Sequence, residues 1–420
     1  MTEADQDPPS VARRSVRLIV AIWAIWATSL LAFQEIVVAR LEPERPDFVL
    51  SWTDQETGLR RHGGRPYLSE PLFNTHIAFD SEYYLSIAVV GYDDAQVPQY
   101  TPPRGSMVPL NYAFMPAYPF AMRIVAAPAA ALGMEPVTAA AFAGIAVSLI
   151  AALGAMLALN RLARPRLGED GGVRAAFYLL IFPTGFFLAQ VYSEAFFLAA
   201  AFGALAFLAD RRPLPAGLLA IVAVLTRPVG LALVFAVGVA LVLVIVRWRR
   251  GDSSAPSSSE WASWAFALIG PVVAYAVWAT SAMGQAFEVV QREYFGRGLL
   301  NLDLAWEGWT NALSGFADAL PQTQVYYGLE VVAVIGAIIA CAWAFRRWPA
   351  ASAFGLAALA VSLASGEPQG MVRYVLAVPP IFLGLSRLGV NPAFDRGWTI
   401  ASVMLMALLA AIYSVDFWVA

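Results

Sequence analysis

Repeated apolar runs of about 20 residues constrain this chain more than any other feature of its sequence. The first run covers residues 17–38, and similar runs recur almost to the C-terminus. Each is long enough to cross a hydrocarbon core as an α-helix, whereas strands of a membrane barrel would alternate over about ten residues. With 59% hydrophobic and 14% charged residues, the chain is predicted to be an all-α polytopic membrane protein.

Hydropathy predicts about 11 transmembrane helices. They cover 17–38, 136–160, 173–191, 194–209, 214–226, 229–246, 261–281, 325–345, 349–365, 371–388 and 397–418. Two of them, 194–209 and 214–226, are short for a hydrocarbon core about 30 Å thick. A further apolar piece, 114–124 and on to about residue 134, is predicted to be an interfacial helix, because counting it as a span would invert every later loop.

The arginines predict the orientation. Arg13, Arg14 and Arg17 precede the first span, and later arginine clusters fall in short loops on the same side. The positive-inside rule therefore places the N-terminus in the cytoplasm of a multi-pass cell-membrane protein. The first run is also too long for a cleavable signal. We predict a single membrane domain over 1–420, with long outer loops at 39–135 and 282–324 and a cytoplasmic linker at 251–259.

The sequence excludes internal disulfides and gives no support for a metal site, a cofactor or a nucleic-acid partner. The single cysteine, Cys341, excludes internal disulfides and cysteine metal clusters. The two histidines are too few and too far apart for a metal site, and the adjacent carboxylates of Asp93 and Asp94 are more simply solvated loop groups. No metal or cofactor is therefore predicted, and the net charge of −3 gives no sign of a nucleic-acid partner.

Ionisable and aromatic residues gather in the predicted outer turns. In the first outer loop, the stretch FDSEYYLSIAVVGY (79–92) predicts a short amphipathic helix that begins at Asp80. The other outer turns hold Tyr192, Ser193 and Glu194, then Arg227, and then Glu367, Arg373 and Tyr374. None of the inward turns looks like this, and they carry plain arginine clusters. This one-sided distribution predicts a functional site at the outer membrane face.

Each residue also has a structural explanation. Asp80 could be only a helix N-cap, and Glu194 could cap the fourth helix. Arg227 and Arg373 could be arginines that snorkel to the interface, and the tyrosines could belong to the aromatic belt. Caps and snorkelling side chains should occur on both membrane faces, however, so their gathering on one face favours a site.

The chemistry available at that face narrows the function. Nucleotide sugars are absent there, so an activated sugar would have to arrive on a polyprenyl phosphate embedded in the membrane lipids. Arg227 and Arg373 could bind the phosphate, and Asp80 could be the single base of an inverting displacement. Tyr83 and Tyr84 could stack on sugar faces. His76 would reach Asp80 if the intervening residues were helical.

Five elements resemble those of the GPI mannosyltransferase II-like (PIG-V) family. They are FDSEYYLSIAVVGY (79–92), FMPAYPF (114–120), FPTGFFLAQVYSEAFFL (182–198), LTRPVGLAL (225–233) and GMVRYVLAVPPIF (370–382). The resemblance implies a glycosyltransferase of the GT-C class that uses polyprenyl-phosphate mannose, with Asp80 as base. It implies substrate-binding roles for the Tyr192, Ser193 and Glu194 turn and for Arg227 and Arg373. The acceptor would be a glycolipid, a glycan or a protein.

Two other functions remain open from the residues. A lipid or lipid-linked-sugar transporter (a flippase without catalysis) would place ionisable residues along a path through the bilayer. A scaffold subunit of an envelope complex would have no cavity in which these residues meet. An outward cavity lined by Asp80 and Arg373 would favour the enzyme.

Overall fold

Helices form almost all of the regular structure that the computed structural model describes, which covers residues 9–41, 71–95, 97–103, 105–252, 254–366, 368–415 and 417–419. The α-helices are α1 (Pro9–Leu41), α2 (Pro71–Asn74), α3 (Asp80–Val89), α4 (Ala117–Ala131), α5 (Pro136–Leu180), α6 (Glu194–Ala209), α7 (Pro213–Thr226), α8 (Leu233–Arg249), α9 (Ser258–Ala279), α10 (Ala282–Val289), α11 (Leu302–Ser314), α12 (Pro321–Ala344), α13 (Pro349–Leu363), α14 (Met371–Tyr374), α15 (Pro379–Leu388) and α16 (Pro392–Ser414). Short 3₁₀ turns cover Leu110–Ala113, Gly185–Ala189, Pro228–Ala232 and Val375–Ala377, and a π-helical turn covers Val290–Tyr294. An antiparallel hairpin pairs β1 (Gln99–Tyr100) with β2 (Val108–Pro109).

Among the described residues, six helices are long and apolar enough to cross a membrane, or seven if α14 and α15 count as one bent span. The six are α1, α5, α8 with its preceding turn, α9, α12 and α16. The helices α6, α7 and α13 are apolar but shorter. The protein is therefore an all-α polytopic membrane protein, as the hydropathy predicts, although the count of 11 spans is not confirmed.

The predicted helices at 136–160 and 173–191 correspond to α5, in which two helices meet at a kink at Gly168, so two helices are confirmed but with different bounds. The start of α5 is fixed by Glu135, whose carboxylate accepts hydrogen bonds from the backbone N–H groups of Val137 and Thr138 at 3.0 and 2.8 Å. Helix continues through most of the predicted inward loop, and the only interruption within α5 is Gly168, at φ 73°. The chain leaves the helix at Leu180, so residues 181–191 form turns and a 3₁₀ segment instead of the end of a span.

The predicted span 371–388 is also not a single helix. The segments Met371–Ala377 and Pro379–Leu388 meet at an angle of 82°. Pro379 and Pro380 follow the bend, and proline cannot continue the hydrogen bonding of a preceding helical turn. The break leaves α14 as one short turn of helix that carries Arg373 toward the protein interior, where its side chain is 5% exposed.

The described part of the first outer loop is more deeply packed around α3 than its sequence pattern indicates. The residues of α3 from Ser81 to Ala88 are all buried, so the predicted amphipathic helix is wrong: α3 has no solvent face along that stretch. Helix α4 matches the predicted helix at 114–134 more closely. Phe120 and Ile124 of α4 are 63% and 58% exposed, and its interfacial position stays a prediction.

The second long outer loop is helical and covers part of the first. It contains α10, the π-helical turn and α11. The side-chain amide of Gln291 donates to the carbonyl oxygen of Ala113 at 2.7 Å, and the rings of Phe295 and Phe114 lie 6.5 Å apart. Residues 287–299 therefore form one wall of the space above α3.

Candidate functional site

A cavity of about 400 Å³ lies between the two outer loops and the ends of α6, α7 and α13, within the range of about 300–1,000 Å³ typical of small-molecule sites. Its charged lining residues are Asp80, Glu194, Arg227, Arg297 and Arg373. Its aromatic lining residues are Phe79, Tyr83, Tyr84, Phe114, Phe287, Tyr294, Phe295, Tyr374 and Trp418. The structure therefore brings Asp80, Glu194, Arg227 and Arg373, predicted from separate turns, into one cavity.

Asp80 is the first residue of α3 but does not act as its N-cap. The capping position belongs to Phe79, which has φ 54° and makes no side-chain cap hydrogen bond. The carboxylate of Asp80 is 27% exposed, and its Oδ2 lies 3.7 Å from Nη1 of Arg373. The capping explanation of Asp80 is therefore wrong, and the carboxylate is available to a ligand in the cavity.

Glu194 joins the two predicted arginines. Its Oε1 lies 2.6 Å from Nη1 of Arg227 and 3.3 Å from Nε of Arg373. The side chains of Glu194 and Arg373 are 4% and 5% exposed, so the pairing takes place inside the protein and neither arginine is simply snorkelling to an interface. Buried charges persist only when they are paired or hydrogen-bonded, and Glu194 supplies the counter-charge for both arginines.

Local backbone geometry directs these side chains to one point. Arg227 is extended, at φ −151° and ψ 135°, between the end of α7 and the 3₁₀ turn that starts at Pro228. The residue before a proline is biased toward that conformation, which turns Arg227 away from the axis of α7. A Cβ on Gly230 would lie 2.6 Å from the backbone of Ala223, so only glycine lets this turn pack against α7.

Tyr374 lies among three guanidinium groups. The guanidinium carbons of Arg227, Arg297 and Arg373 are 5.4, 5.5 and 5.4 Å from the centre of its ring. Nη1 of Arg297 also donates to the hydroxyl of Tyr374 at 2.9 Å. The tyrosine face attracts cations and so helps to hold like charges together in a small space.

The remaining predicted residues divide between the cavity and the packing behind it. Tyr83 and Tyr84 line the cavity, and the hydroxyl of Tyr84 donates to Oγ of Ser193 at 2.9 Å. Tyr192 and Ser193 do not line it. Tyr192 is buried, donates to the carbonyl oxygen of Ala78 at 3.1 Å, and places its ring 5.6 Å from the guanidinium carbon of Arg373.

His76 does not reach Asp80 in the way that a helix would allow. The backbone between them is a turn rather than a helix, because α3 begins only at Asp80. The imidazole is buried, with Nδ1 3.1 Å from Oε1 of Gln190 and Nε2 3.8 Å from Oε1 of Glu35. His76 is not among the residues that line the cavity, so its predicted place beside the substrate is corrected to a place in the packing behind α3.

The adjacent carboxylates of Asp93 and Asp94 are hydrogen-bonded within the protein. The hydroxyl of Tyr112 donates to Asp93 at 2.8 Å, and the hydroxyl of Ser86 donates to the buried Asp94 at 2.7 Å. In the part of the chain that the structure describes, no three histidine, cysteine, aspartate or glutamate side chains group so that they could hold a metal ion.

Burial raises the pKa of Asp80 above that of an ordinary carboxyl group, and Arg373 offsets the effect only in part. The pKa of Tyr84 is also raised, first by burial and then by the nearby Asp80 carboxylate. The phenol therefore stays protonated, and Asp80 is the stronger candidate for accepting a proton.

Sequence reasoning missed two residues at this site. Arg297, in the second outer loop, lines the cavity; a lone arginine in a polar loop gives no signal. Glu330 lies in α12, is fully buried, and accepts hydrogen bonds from the backbone N–H groups of Gly370 and Val372 at 2.8 and 2.6 Å. A carboxylate inside an apolar run is unusual, and that signal could have found Glu330.

Comparisons with known proteins agree with the predicted resemblance. Residues 66–243 match the model of the family described as Mannosyltransferase (PIG-V). The matched region contains four of the five elements singled out in the sequence, and the fifth, 370–382, lies beyond it. The resemblance is thereby confirmed over 66–243. The search of curated proteins found no match.

Solved membrane proteins give more distant similarities. ArnT from Cupriavidus metallidurans, bound to undecaprenyl phosphate, is similar at 15% identity and a TM-score of 0.48, over 95% of this chain and 70% of that chain. The Archaeoglobus fulgidus oligosaccharyltransferase, in complex with Zn and sulfate, is similar at 16% identity and a TM-score of 0.43, over 92% of this chain and 53% of that chain. The chain thus spans about half the length of the oligosaccharyltransferase.

Proposed function

We propose that this protein is an inverting GT-C glycosyltransferase, and specifically a mannosyltransferase, that takes its sugar from a polyprenyl-phosphate donor. The acceptor is a glycolipid, glycan or protein at the outer membrane face. The observation that carries the proposal is the meeting of Asp80 with the paired arginines Arg227 and Arg373 in one cavity. The family match over residues 66–243 supports the same chemistry.

The lining of the cavity suits an amphipathic donor. Phe197 and Leu198 of α6, Val361 of α13 and Leu376 beyond α14 supply apolar lining. The charged groups of the cavity suit a phosphate, which arginine binds through parallel hydrogen bonds. A polyprenyl phosphate carries an apolar tail and an anionic head, so both kinds of lining have a partner in one ligand.

In the proposed step, the carboxylate of Asp80 takes the proton of the acceptor hydroxyl. The acceptor oxygen forms its bond to the anomeric carbon from the face opposite the phosphate, and the bond between that carbon and the phosphate oxygen breaks. The electron pair of that bond leaves on polyprenyl phosphate, and the configuration inverts. Guanidinium groups fixed around the phosphate stabilise the charge that it gains in the transition state.

Arg373 can contribute both to proton transfer at Asp80 and to binding of the departing phosphate. It lies 3.7 Å from the proposed base and shares Glu194 with Arg227. Its Nε and Nη1 are buried, and although they lie 3.3 Å from Glu194 and 3.7 Å from Asp80, neither contact meets hydrogen-bond geometry. Buried donors without partners are uncommon in native proteins, and a bound anion would satisfy them.

The proposal is tested by giving the purified protein a panel of donors together with a membrane extract. The panel contains mannosyl, glucosyl and arabinosyl polyprenyl phosphates, and each product is identified by mass. We expect transfer from mannosyl polyprenyl phosphate, and no transfer from GDP-mannose, which carries the same sugar without the lipid. Transfer from GDP-mannose alone, or from none of the lipid donors, would contradict the proposal.

A further inference from the structure

Arg297 is a cation of the cavity that the sequence did not predict. It follows the π-helical turn Val290–Tyr294, a feature often found at functional sites. Its guanidinium makes two hydrogen bonds, from Nη1 to the Tyr374 hydroxyl at 2.9 Å and from Nη2 to the carbonyl oxygen of Gln369 at 2.8 Å. Both acceptors are neutral, so these bonds orient the guanidinium without compensating its charge.

The other two arginines are already compensated. Glu194 lies within ion-pair distance of Arg227 and Arg373, and Asp80 within ion-pair distance of Arg373. Among the described residues, no carboxylate lies within 4.0 Å of Arg297. The charged lining therefore consists of three guanidinium groups against two carboxylates, and the surplus positive charge is that of Arg297.

The backbone around Arg297 is built to hold it in place. Arg297 pairs with Gly366 in an isolated antiparallel bridge, and the N–H of Gly298 donates to the carbonyl oxygen of Ser365 at 2.7 Å. Gly366 has φ 136°, and a Cβ there would lie 2.1 Å from the carbonyl oxygen of Gly296. The close approach of these two strands requires glycine, and it joins the second outer loop to the turn before α14.

We infer that Arg297 is the residue that binds the phosphate of the lipid-linked donor, with Arg227 and Arg373 beside it as arginines already compensated by Glu194 and Asp80. The inference rests on the proposed function and assigns the anion subsite to a specific side chain. An arginine that is oriented by neutral partners keeps N–H groups and a full charge for an incoming anion. The phosphate would then sit between Arg297 and Arg373, across the ring of Tyr374.

The test compares dissociation constants of the full-length protein in detergent for undecaprenyl phosphate and for undecaprenol, which has the same tail without the phosphate. The wild-type protein is expected to prefer the phosphate. Arg297→Gln should weaken undecaprenyl phosphate binding by about ten- to a hundredfold, as expected for loss of a charge-assisted hydrogen bond, and should leave undecaprenol binding unchanged. Arg292→Gln is the matched control, because Arg292 is exposed in the same segment and lies outside the cavity lining.

The outcomes distinguish a failure of the inference about Arg297 from a failure of the proposed function. If Arg297→Gln prefers undecaprenyl phosphate over undecaprenol as strongly as the wild-type protein does, the inference is overturned and the proposed function stands. Absence of that preference in the wild-type protein would overturn both. If Arg297→Gln does not fold, Arg297→Lys decides: it keeps the charge without the planar fork, so phosphate binding should weaken severalfold, and unchanged binding would overturn the inference.

A second variant separates ligand binding from support of Tyr374. Tyr374→Phe removes the hydroxyl that Arg297 contacts but keeps the cation and the aromatic ring. We expect it to reduce the preference for the phosphate much less than Arg297→Gln does. An equal loss in both variants would mean that Arg297 acts only by holding Tyr374, and the inference would be wrong.

Discussion

At the scale of single residues, Glu194 sets the electrostatics of the site. It is almost fully buried, and its carboxylate lies against Arg227 and Arg373 at once. Removing one partner of a buried ion pair typically destabilises a protein by about 3–5 kcal/mol, because the other charge is left without compensation. Glu194 thereby holds the guanidinium groups of Arg227 and Arg373 close together beside Asp80. Without Glu194, these buried like charges would lose that compensation.

The raised pKa of Asp80 has a consequence for the pH dependence of transfer. A general base acts only when deprotonated, so kcat/KM should rise with pH through the pKa of Asp80, which is raised above the value of about 4 for an ordinary carboxyl group. Arg373 lowers this pKa, so Arg373→Gln should move the rise to higher pH as well as weaken donor use. The measurement is kcat/KM against pH for both proteins.

The control for this profile is Arg292→Gln, which changes the same charge outside the cavity and should leave the position of the rise unchanged. A rise centred near pH 4 in the wild-type protein would contradict the assignment. The assignment would also be contradicted if kcat/KM of Arg373→Gln rose at the same pH as that of the wild-type protein.

At the scale of elements, the bend between α14 and α15 positions Arg373. Glu330 of α12 accepts the N–H groups of Gly370 and Val372 with its two carboxyl oxygens, and the hydroxyl of Tyr326 also lies within 3.2 Å of the Gly370 nitrogen. Gly370 has φ 88°, a conformation that favours glycine. The carboxyl group thus supplies hydrogen-bond acceptors that the interrupted helix lacks.

We predict that Glu330→Gln displaces Arg373. Glutamine replaces one acceptor oxygen with an NH₂ group, so one buried backbone N–H loses its partner, which typically costs about 1–3 kcal/mol. Thermal unfolding should shift to lower temperature, and KM for the lipid donor should rise. Tyr326→Phe is the control: it leaves both carboxyl contacts in place and should have a smaller effect on each measurement. If Glu330→Gln unfolds at the same temperature as the wild-type protein and has the same KM for the lipid donor, Glu330 does not position Arg373.

The same elements show what hydropathy predicts and what it misses. Apolar runs locate α6, α7, α8, α9, α12, α13 and α16 closely, and the C-terminal end of α1, because helices buried in lipid or in the protein core are apolar along their length. They do not locate the helix that continues through Arg161–Leu167, nor the 82° bend after Ala377. Both depend on contacts with distant residues, such as Glu330 with Gly370, which a local pattern does not contain.

At the scale of the whole molecule, the site is assembled from five separate parts of the chain. Asp80, Glu194, Arg227 and Arg373 were predictable because they are the unusual polar groups at the ends of apolar segments. Arg297 was not, because it lies in a polar loop where an arginine is ordinary. The placement of this assembly on the extracytoplasmic side stays a prediction from the distribution of arginines.

The most direct test of the account is transfer by Asp80→Asn, compared with its binding of undecaprenyl phosphate. Asparagine is nearly isosteric but is not a base, so we predict that transfer falls by about 100- to 10,000-fold while lipid-phosphate binding and thermal unfolding stay close to those of the wild-type protein. Asp93→Asn, at an exposed carboxylate outside the cavity, should retain full transfer. Wild-type transfer by Asp80→Asn would contradict the central claim.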